Sequence, residues 1–143
     1  MRFEGKSVLI TGAGKGIGRE TAKLMAARGA KVTAVSRTQS DLEALQAEIG
    51  CTTITVDLAD ADAARLAARQ GLPCDYLVNC AGINVLQPFV DVTVESFDLV
   101  HAVNTRAAMI VAQEFARSRV RQGGGGAIVN VSSLSSFVGF EDH

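Results

Sequence analysis

The chain has 143 residues, of which 48% are hydrophobic and 20% charged, and its formal net charge is -1. Positions 1–143 are enough for one domain, and the apolar content excludes an intrinsically disordered chain. Because 14 basic residues nearly balance 15 acidic ones, neither a nucleic-acid-binding nor an anionic membrane-binding surface is expected. No uncharged apolar run approaches the roughly 20 residues of a membrane span.

The cysteines and the N-terminus bear on the cellular compartment. Cys51, Cys74 and Cys80 form an odd set without a C-x-x-C pair, which argues against a disulfide framework and against a zinc site. Residues 1–6 lead into only a short apolar run, without the cleavage site of a signal peptide. We therefore expect a cytoplasmic protein without a structural metal.

Strand and helix signals alternate along the whole chain. Short apolar or β-branched runs predict strands over residues 8–10, 31–35, 52–56, 76–78 and 127–131. Helical periodicity predicts helices over residues 16–28, 40–49, 60–69 and 93–121, the last one bent near Asn104, and a loop from Ser132 onwards.

Local signals mark the ends of the first two helices. Gly29 and Gly50 stand where left-handed C-terminal caps are needed. Ser40 and Glu43 have the spacing of a capping box. In the first helix, the helical spacing of about 3.6 residues is shown by Ile17, Thr21, Leu24 and Met25.

Strands separated by helices predict an α/β fold with right-handed parallel crossovers. The expected architecture is a doubly wound parallel sheet, a Rossmann fold, with strand order 3-2-1-4-5. Ligands of such sheets bind beyond the carboxyl ends of the strands, where the strand order reverses. This rule selects the loops that follow each of the five predicted strands.

The first of these loops is rich in glycine and connects a buried strand to an amphipathic helix. Its glycines allow a tight turn and a close approach of the backbone to a pyrophosphate, and the helix N-terminus offers free N–H groups to that anion. A plain glycine turn is the alternative. The candidate cofactor contacts in this loop are Gly12, Gly14, Lys15, Gly16, Ile17 and Gly18.

The second and third loops indicate which dinucleotide binds. Ser36, Arg37 and Thr38 stand where an acidic residue would accept from the ribose of NAD, and a guanidinium there favours the additional phosphate of NADP. A solvated surface arginine is the alternative. Asp57 could accept from the adenine amino group or simply cap the next turn, and Leu58 beside it is a further candidate contact.

Four motifs in order resemble the short-chain dehydrogenase/reductase family. They are T-G-x-x-x-G-I-G at residues 11–18, Asn79-Cys80-Ala81-Gly82, Asn104 in the long helix, and Val129-Asn130-Val131-Ser132-Ser133. The stretches G-A-G-K-G-I-G-R, A-V-S-R-T and L-Q-P-F are similar to those of the small NADPH-dependent carbonyl and L-xylulose reductases.

The resemblance implies roles for these residues. Asn79, Ala81 and Gly82 would stabilise the sheet and line the ribose of the cofactor. Asn104 would hold a water of a proton relay through its backbone, and Ser133 would orient and polarise the substrate carbonyl. Ser132, Ser135 and Ser136 are neighbouring alternatives to Ser133.

One family feature is missing from the sequence. The acid/base pair of the family is Tyr-x-x-x-Lys, which by family spacing would fall a few residues after His143. The single tyrosine, Tyr76, is followed at the fourth position by Cys80. We therefore expect a domain that is incomplete at its C-terminus, without the later strands and helices, with its fifth strand as an open edge, and inactive alone. The whole protein would be an active reductase, and a homodimer or homotetramer associating through residues 104–121.

Two other functions remain open. A non-catalytic dinucleotide-binding or regulatory module would explain the missing pair, although Asn104 and Ser133 argue against it. An epimerase or dehydratase on this fold usually has the spacing T-G-x-x-G-x-x-G, which the chain lacks. The substrate would be a small carbonyl, a sugar or a polyol, with Gln87, Leu134 and Val138 as pocket candidates.

Overall fold

A computed structural model describes residues 2–138, and at its centre lies a sheet of five parallel strands. Continuous apolar runs form the inner strands because both faces of a parallel sheet are covered by helices. The strands are β1 (Ser7–Thr11), β2 (Lys31–Ser36), β3 (Thr52–Thr55), β4 (Tyr76–Asn79) and β5 (Ala127–Asn130).

The sheet has the order β3-β2-β1-β4-β5, which confirms the predicted doubly wound topology. At its centre Leu9 of β1 pairs with Thr33 of β2 on one side and Leu77 of β4 on the other. Successive strands are added on one side of β1 up to β3, and β4 is then added on its other side. Because the strand order reverses at this point, the loops after β1 and β4 form the crevice in which ligands of such sheets bind.

Five helices and shorter helical segments connect the strands. Gly29 and Gly50 adopt left-handed conformations at the ends of the first two helices, as predicted. The helices are α1 (Gly16–Ala27), α2 (Gln39–Ile49), α3 (Ala61–Gln70), α4 (Val94–His101) and α5 (Ala108–Arg121), with a π-helical segment at Ala102–Ala107 and 3₁₀ turns at Phe89–Asp91 and Leu134–Ser136.

One local prediction was wrong. The capping box does not form, because α2 already begins at Gln39 with Thr38 at its N-cap, and Ser40 lies inside the helix. In α1, two of the apolar residues at helical spacing face solvent: the exposed fraction is 66% for Ile17 and 51% for Leu24. Small residues, Gly18 and Ala22, are buried instead, because α1 lies close to the sheet.

The long helix and the C-terminal loop differ in detail from their predictions. The predicted bend near Asn104 is a π-helical segment that joins α4 to α5. The stretch from Ser132 to Val138 is a loop except for its one 3₁₀ turn. Residues 139–143, to which this loop prediction also applied, lie outside the described residues.

The core has two halves, one on each face of the sheet. On one face α1 and α2 cover side chains such as Val8 and Ile10. On the other face α3 and α5 pack against each other and cover side chains such as Leu9 and Leu77. Both faces of β1 are therefore fully buried, which fixes the loop that leaves it.

The outer strand β5 is less well covered than the others. All four of its residues are exposed, with Ile128 39% and Val129 55% accessible. Among residues 2–138 it pairs with β4 alone and forms an open edge, as expected. No helix in this part of the chain is both long and apolar enough to cross a membrane.

Candidate cofactor-binding and catalytic site

The glycine loop turns back tightly between β1 and α1. Gly12 and Gly16 have left-handed φ angles of 69° and 55°. A Cβ on Gly18 would lie 2.2 Å from the carbonyl oxygen of Gly12, so only glycine permits this close approach of loop and helix. A Cβ on Gly16 would meet no atom within 4 Å, so the space beside this residue is open.

The N-terminus of α1 carries no side-chain cap. Lys15 occupies the N-cap position without a side-chain hydrogen bond, and the first turn holds no acidic residue. In contrast, the N-terminus of α3 is satisfied by Asp60, whose carboxylate accepts from Asp62 N and Ala63 N, both at 2.9 Å. Uncapped N–H groups at a helix N-terminus bind anions. The glycine loop therefore fits a diphosphate.

The second loop lies against the first. A Cβ on Gly14 would come within 2.6 Å of Ser36 Oγ and 3.2 Å of Asp41 Cβ, so a larger residue here would displace the Ser36 hydroxyl. Arg37 follows Ser36 and is exposed. Among the described residues the side chains of Arg37 and Lys15 make no hydrogen bond or ion pair, which leaves two exposed cationic groups on the first two loops. This arrangement suits an additional phosphate group.

Two side chains hold the third loop in place: one belongs to the loop itself, and the other comes from the π-helical segment. Asp57 Oδ1 accepts a hydrogen bond from Ala59 N at 2.9 Å, so the capping alternative for Asp57 is realised, although this side chain is also exposed. The side chain of Leu58 is buried in the core, which leaves only its backbone to face a ligand. Arg106 of the π-helical segment donates a hydrogen bond to Ala59 O.

The fourth loop is anchored to the first through Thr11. The buried hydroxyl of Thr11 accepts hydrogen bonds from Cys80 N and Ala81 N, each at 3.2 Å. A Cβ on Gly12 would lie 2.7 Å from Ala81 N, so the two loops are in direct contact. Burial raises the pKa of the half-buried Cys80 thiol, which makes it a poor nucleophile at neutral pH.

Asn79 joins three elements. Its Nδ2 donates to Ala108 O at 3.2 Å and to Asn130 Oδ1 at 3.0 Å, which connects β4 with α5 and β5. This geometry agrees with a sheet-stabilising role. The Oδ1 atom of Asn79 is buried and has no hydrogen-bond partner among the described residues.

Asn104 lies in the π-helical segment and holds the loop that follows Gly82. Its Oδ1 accepts from Ile83 N at 2.8 Å and its Nδ2 donates to Ile83 O at 2.9 Å. A Cβ on Gly82 would be 3.6 Å from Asn104 Oδ1, in ordinary contact. A cavity of about 310 Å³ opens beside these residues. It is lined by Asn79, Ala81, Asn104, Thr105, Ala108, Met109, Ala112, Asn130 and Val131.

The serine cluster follows β5 at the same edge of the sheet. Ser133 caps the 3₁₀ turn, and its Oγ accepts from Ser135 N at 3.2 Å and donates to Ser135 Oγ at 3.3 Å. The hydroxyls of Ser132 and Ser136 are 3.0 Å apart. Since all four serines are exposed, the hydroxyl of Ser133 is accessible to a substrate.

Comparison with known proteins decides the family. The family model described as short chain dehydrogenase matches residues 6–142. The chain belongs to this family. An L-xylulose reductase from Bos taurus is 48% identical over the whole chain, and a carbonyl reductase [NADPH] 2 from Sus scrofa is 47% identical over 96% of it.

A solved short-chain dehydrogenase has the same fold. A short-chain type dehydrogenase/reductase from Mycobacterium marinum superposes with a TM-score of 0.90 at 32% identity, over 96% of this chain and 59% of its own. The chain likewise spans 59% of the bovine and 57% of the porcine reductase.

Two arginines make contacts with these loops and with α2 that the sequence did not predict. Arg106 was unremarkable in its helix, yet it reaches the loop after β3. Arg19 follows the glycine loop, yet its guanidinium contacts α2, 22 positions away in the chain. Neither contact has a sequence signal, because both arginines fit an exposed helical position equally well.

Proposed function

We propose that the whole protein is an NADP(H)-dependent oxidoreductase that interconverts a secondary alcohol and a ketone or other carbonyl. The observation that carries this proposal is the uncapped N-terminus of α1 with Lys15 and Arg37 unpaired beside it. Such a site suits a dinucleotide with one additional phosphate. The porcine relative is named as an NADPH-linked carbonyl reductase, which supports the same assignment.

Each loop would hold one part of the cofactor. The backbone of residues 12–18 would bind the diphosphate, while Ser36, Arg37 and Thr38 would bind the ribose phosphate. Asp57 and the backbone of Leu58 would border the adenine. The cofactor ribose near the reaction centre would lie against Asn79, Ala81 and Gly82, whose loop Thr11 anchors.

NADPH, when bound, supplies a hydride. The residues of the chain would prepare the carbonyl for it: the accessible Ser133 hydroxyl can donate a hydrogen bond to the substrate oxygen, on which negative charge develops. Asn104 fixes the loop after β4 through both of its hydrogen bonds to Ile83 and would keep the relay geometry constant.

A proton donor must complete the reaction. Tyr76 is part of strand β4, between β1 and β5 in the sheet, and the sequence contains no Tyr-x-x-x-Lys. We therefore propose that the donor is supplied by a part of the protein beyond these 143 residues and that residues 1–143 form the dinucleotide-binding part, inactive alone.

The substrate would be a small carbonyl compound, a sugar or a polyol. The names L-xylulose reductase and carbonyl reductase support this class. Gln87 is a candidate contact, because its Oε1 is buried without a hydrogen-bond partner in the described part of the chain. The exposed side chains of Leu134 and Val138 could supply apolar contacts.

Assembly and location are part of the proposal. Large apolar side chains are exposed on and near α4, including Val94 and Phe97, and this favours a homodimer or homotetramer. Three free thiols favour the reducing cytoplasm. Light scattering of the purified protein and fractionation of cells measure these two properties.

The test uses the whole protein. We expect saturable binding of NADPH, followed by its fluorescence, and NADPH oxidation with at least one member of a panel of small ketones, sugars and dicarbonyls. Ser133→Ala should lower kcat by about 100-fold with little change in NADPH affinity. Ser136→Ala, a neighbouring exposed hydroxyl, should lower kcat by less than about twofold.

The outcomes separate the candidate functions. Binding of NADPH without reduction of any carbonyl would favour the non-catalytic module. Absence of saturable NADPH binding would reject the proposed function altogether.

A further inference from the structure

Arg19 connects the two loops that flank the proposed phosphate site. It lies in the first turn of α1, and its side chain is 23% exposed. Its Nη1 donates to the carbonyl oxygen of Gly14 at 3.4 Å and to that of Asp41, in the first turn of α2, at 3.2 Å. One guanidinium group therefore holds the glycine loop and the start of α2 at a fixed separation.

The contact at Gly14 depends on this separation. A Cβ on Gly14 would lie 3.1 Å from Ser36 Cβ and 3.2 Å from Asp41 Cβ, so the glycine loop packs tightly against the second loop and the start of α2. A small shift of α2 would open this contact and would also move Thr38, the N-cap residue of α2, relative to the glycine loop. Arg19 opposes such a shift, because its guanidinium is hydrogen-bonded to both Gly14 and Asp41.

The guanidinium of Arg19 is itself held in place by a carboxylate. Its Nη2 lies 2.9 Å from Glu48 Oε2, and Lys23 Nζ lies 2.6 Å from the other oxygen of Glu48. With these three acceptors the guanidinium of Arg19 is occupied, whereas the side chains of Arg37 and Lys15 have no partner among the described residues. The direct phosphate ligands and the residue that positions them are thus different side chains.

We propose that Arg19 is a positioning residue that sets the distance between the two sides of the site for the additional phosphate, and thereby sets the preference for NADPH over NADH. This inference rests on the proposed function. A phosphate bound between Lys15 on one loop and Arg37 on the other needs both loops in register, because charge-assisted hydrogen bonds require short distances. NADH lacks this group and depends less on the separation.

Lys23 offers a matched control. It lies one turn further along α1, carries the same charge and pairs with the same carboxylate, but within residues 2–138 it forms no hydrogen bond or ion pair with either loop. Arg19→Met and Lys23→Met therefore remove equal charge and one Glu48 ion pair each. Only Arg19→Met removes the two carbonyl contacts.

The experiment measures the Kd of NADPH and of NADH for the whole protein by fluorescence titration, together with Tm. For Arg19→Met we expect the ratio of the Kd of NADH to that of NADPH to fall by about fivefold to tenfold. For Lys23→Met the ratio should stay within about twofold of the wild-type value. A general loss of stability would lower Tm but would not change this ratio.

Arg19→Lys is the second variant, and it keeps the charge in case Arg19→Met does not fold. A lysine ammonium cannot reach all three acceptors as the planar guanidinium does. The ratio of the Kd of NADH to that of NADPH is therefore expected to lie between those of the wild type and Arg19→Met. An unchanged ratio in Arg19→Lys or Arg19→Met, or an equal change in Lys23→Met, would overturn the inference while wild-type NADPH binding stands. Failure of the wild-type protein to bind NADPH would overturn both proposals and is seen before any variant is made.

Discussion

The amide of Asn104 makes two hydrogen bonds with one residue: it accepts from Ile83 N at 2.8 Å and donates to Ile83 O at 2.9 Å. An amide is the side chain that satisfies both groups at once, because it carries a donor and an acceptor on one planar group. The loop after β4 is therefore fixed to the π-helical segment.

Asn104→Asp should disturb this arrangement without a change in size. A carboxylate keeps the acceptor for Ile83 N but faces Ile83 O with a second acceptor. We expect kcat of the whole protein to fall by about tenfold to 100-fold, with the Kd of NADPH changed by less than about threefold. Steady-state kinetics and fluorescence titration measure the two quantities. An unchanged kcat would show that this loop need not be fixed for the reaction.

Arg37→Gln tests the cofactor preference directly. Loss of the unpaired guanidinium should raise the Kd of NADPH by about tenfold and leave the Kd of NADH within about twofold. Arg121→Gln removes an equal charge from the exposed end of α5 and serves as the control. Titrations at two salt concentrations separate a local contact from a general effect of charge. Equal effects of the two substitutions would contradict the assignment.

Gly16→Ala tests the open space at the N-terminus of α1. Gly16 and Gly5 both have left-handed φ angles, 55° and 72°, and a Cβ on either would meet no atom within 4 Å. Each alanine substitution should therefore lower stability by a similar amount, about 1 kcal/mol. Only Gly16→Ala should also weaken NADPH binding, by about tenfold, because its methyl group fills the proposed diphosphate site. Normal binding by Gly16→Ala would place the diphosphate elsewhere.

Glu114 predicts a dependence of stability on pH. Its side chain is only 3% exposed and contacts Arg65, Arg69 and Arg117 at 2.9–3.0 Å. These guanidinium groups, Arg69 foremost, lower the pKa of Glu114 to about 2 from an ordinary 4.5. A carboxyl whose folded-state pKa is depressed stabilises the fold above its unfolded pKa, and this contribution is lost as pH falls from about 4.5 towards 2.

Glu114→Gln should therefore lower the free energy of unfolding at pH 7 by about 1–3 kcal/mol, since three arginines lose their partner. The loss should shrink as pH falls from about 4.5 towards 2, because the wild-type carboxyl binds a proton first in the unfolded chain and then in the folded protein. Thermal melts between pH 7 and pH 2.5 measure both effects. Glu43→Gln, on the exposed side of α2, is the control and should change Tm little at any pH.

Much of the fold was predictable because its strands are buried on both faces. Runs such as Val8-Leu9-Ile10 have no polar alternation, and their alternation with helices leaves few topologies with right-handed crossovers. The glycine loop was equally predictable, because the residues that allow its tight turn and close backbone approach are adjacent in the sequence. The strand order and the contact between the loops after β1 and β4 follow from these two features.

Other features, such as which residues of a helix are buried, depend on the distances between packed elements, and hydrophobic periodicity does not predict these distances. Ile17 and Leu24 follow the helical spacing of a core stripe, but the close approach of α1 to the sheet buries Gly18 and Ala22 instead. The burial of Glu114 by arginines of two helices has no local signature either. The outcome at these positions is decided by the packing of whole helices.

The π-helical segment at Ala102–Ala107 also determines which face of the following helix α5 is turned towards the sheet. One residue corresponds to about 100° of helix rotation. A single-residue deletion here, tolerable in most surface connections, would turn Ile110 and Phe115 away from the sheet and bring hydrophilic neighbours inward. The number of residues in this segment is therefore constrained. Relatives should differ there by substitutions and not by insertions or deletions.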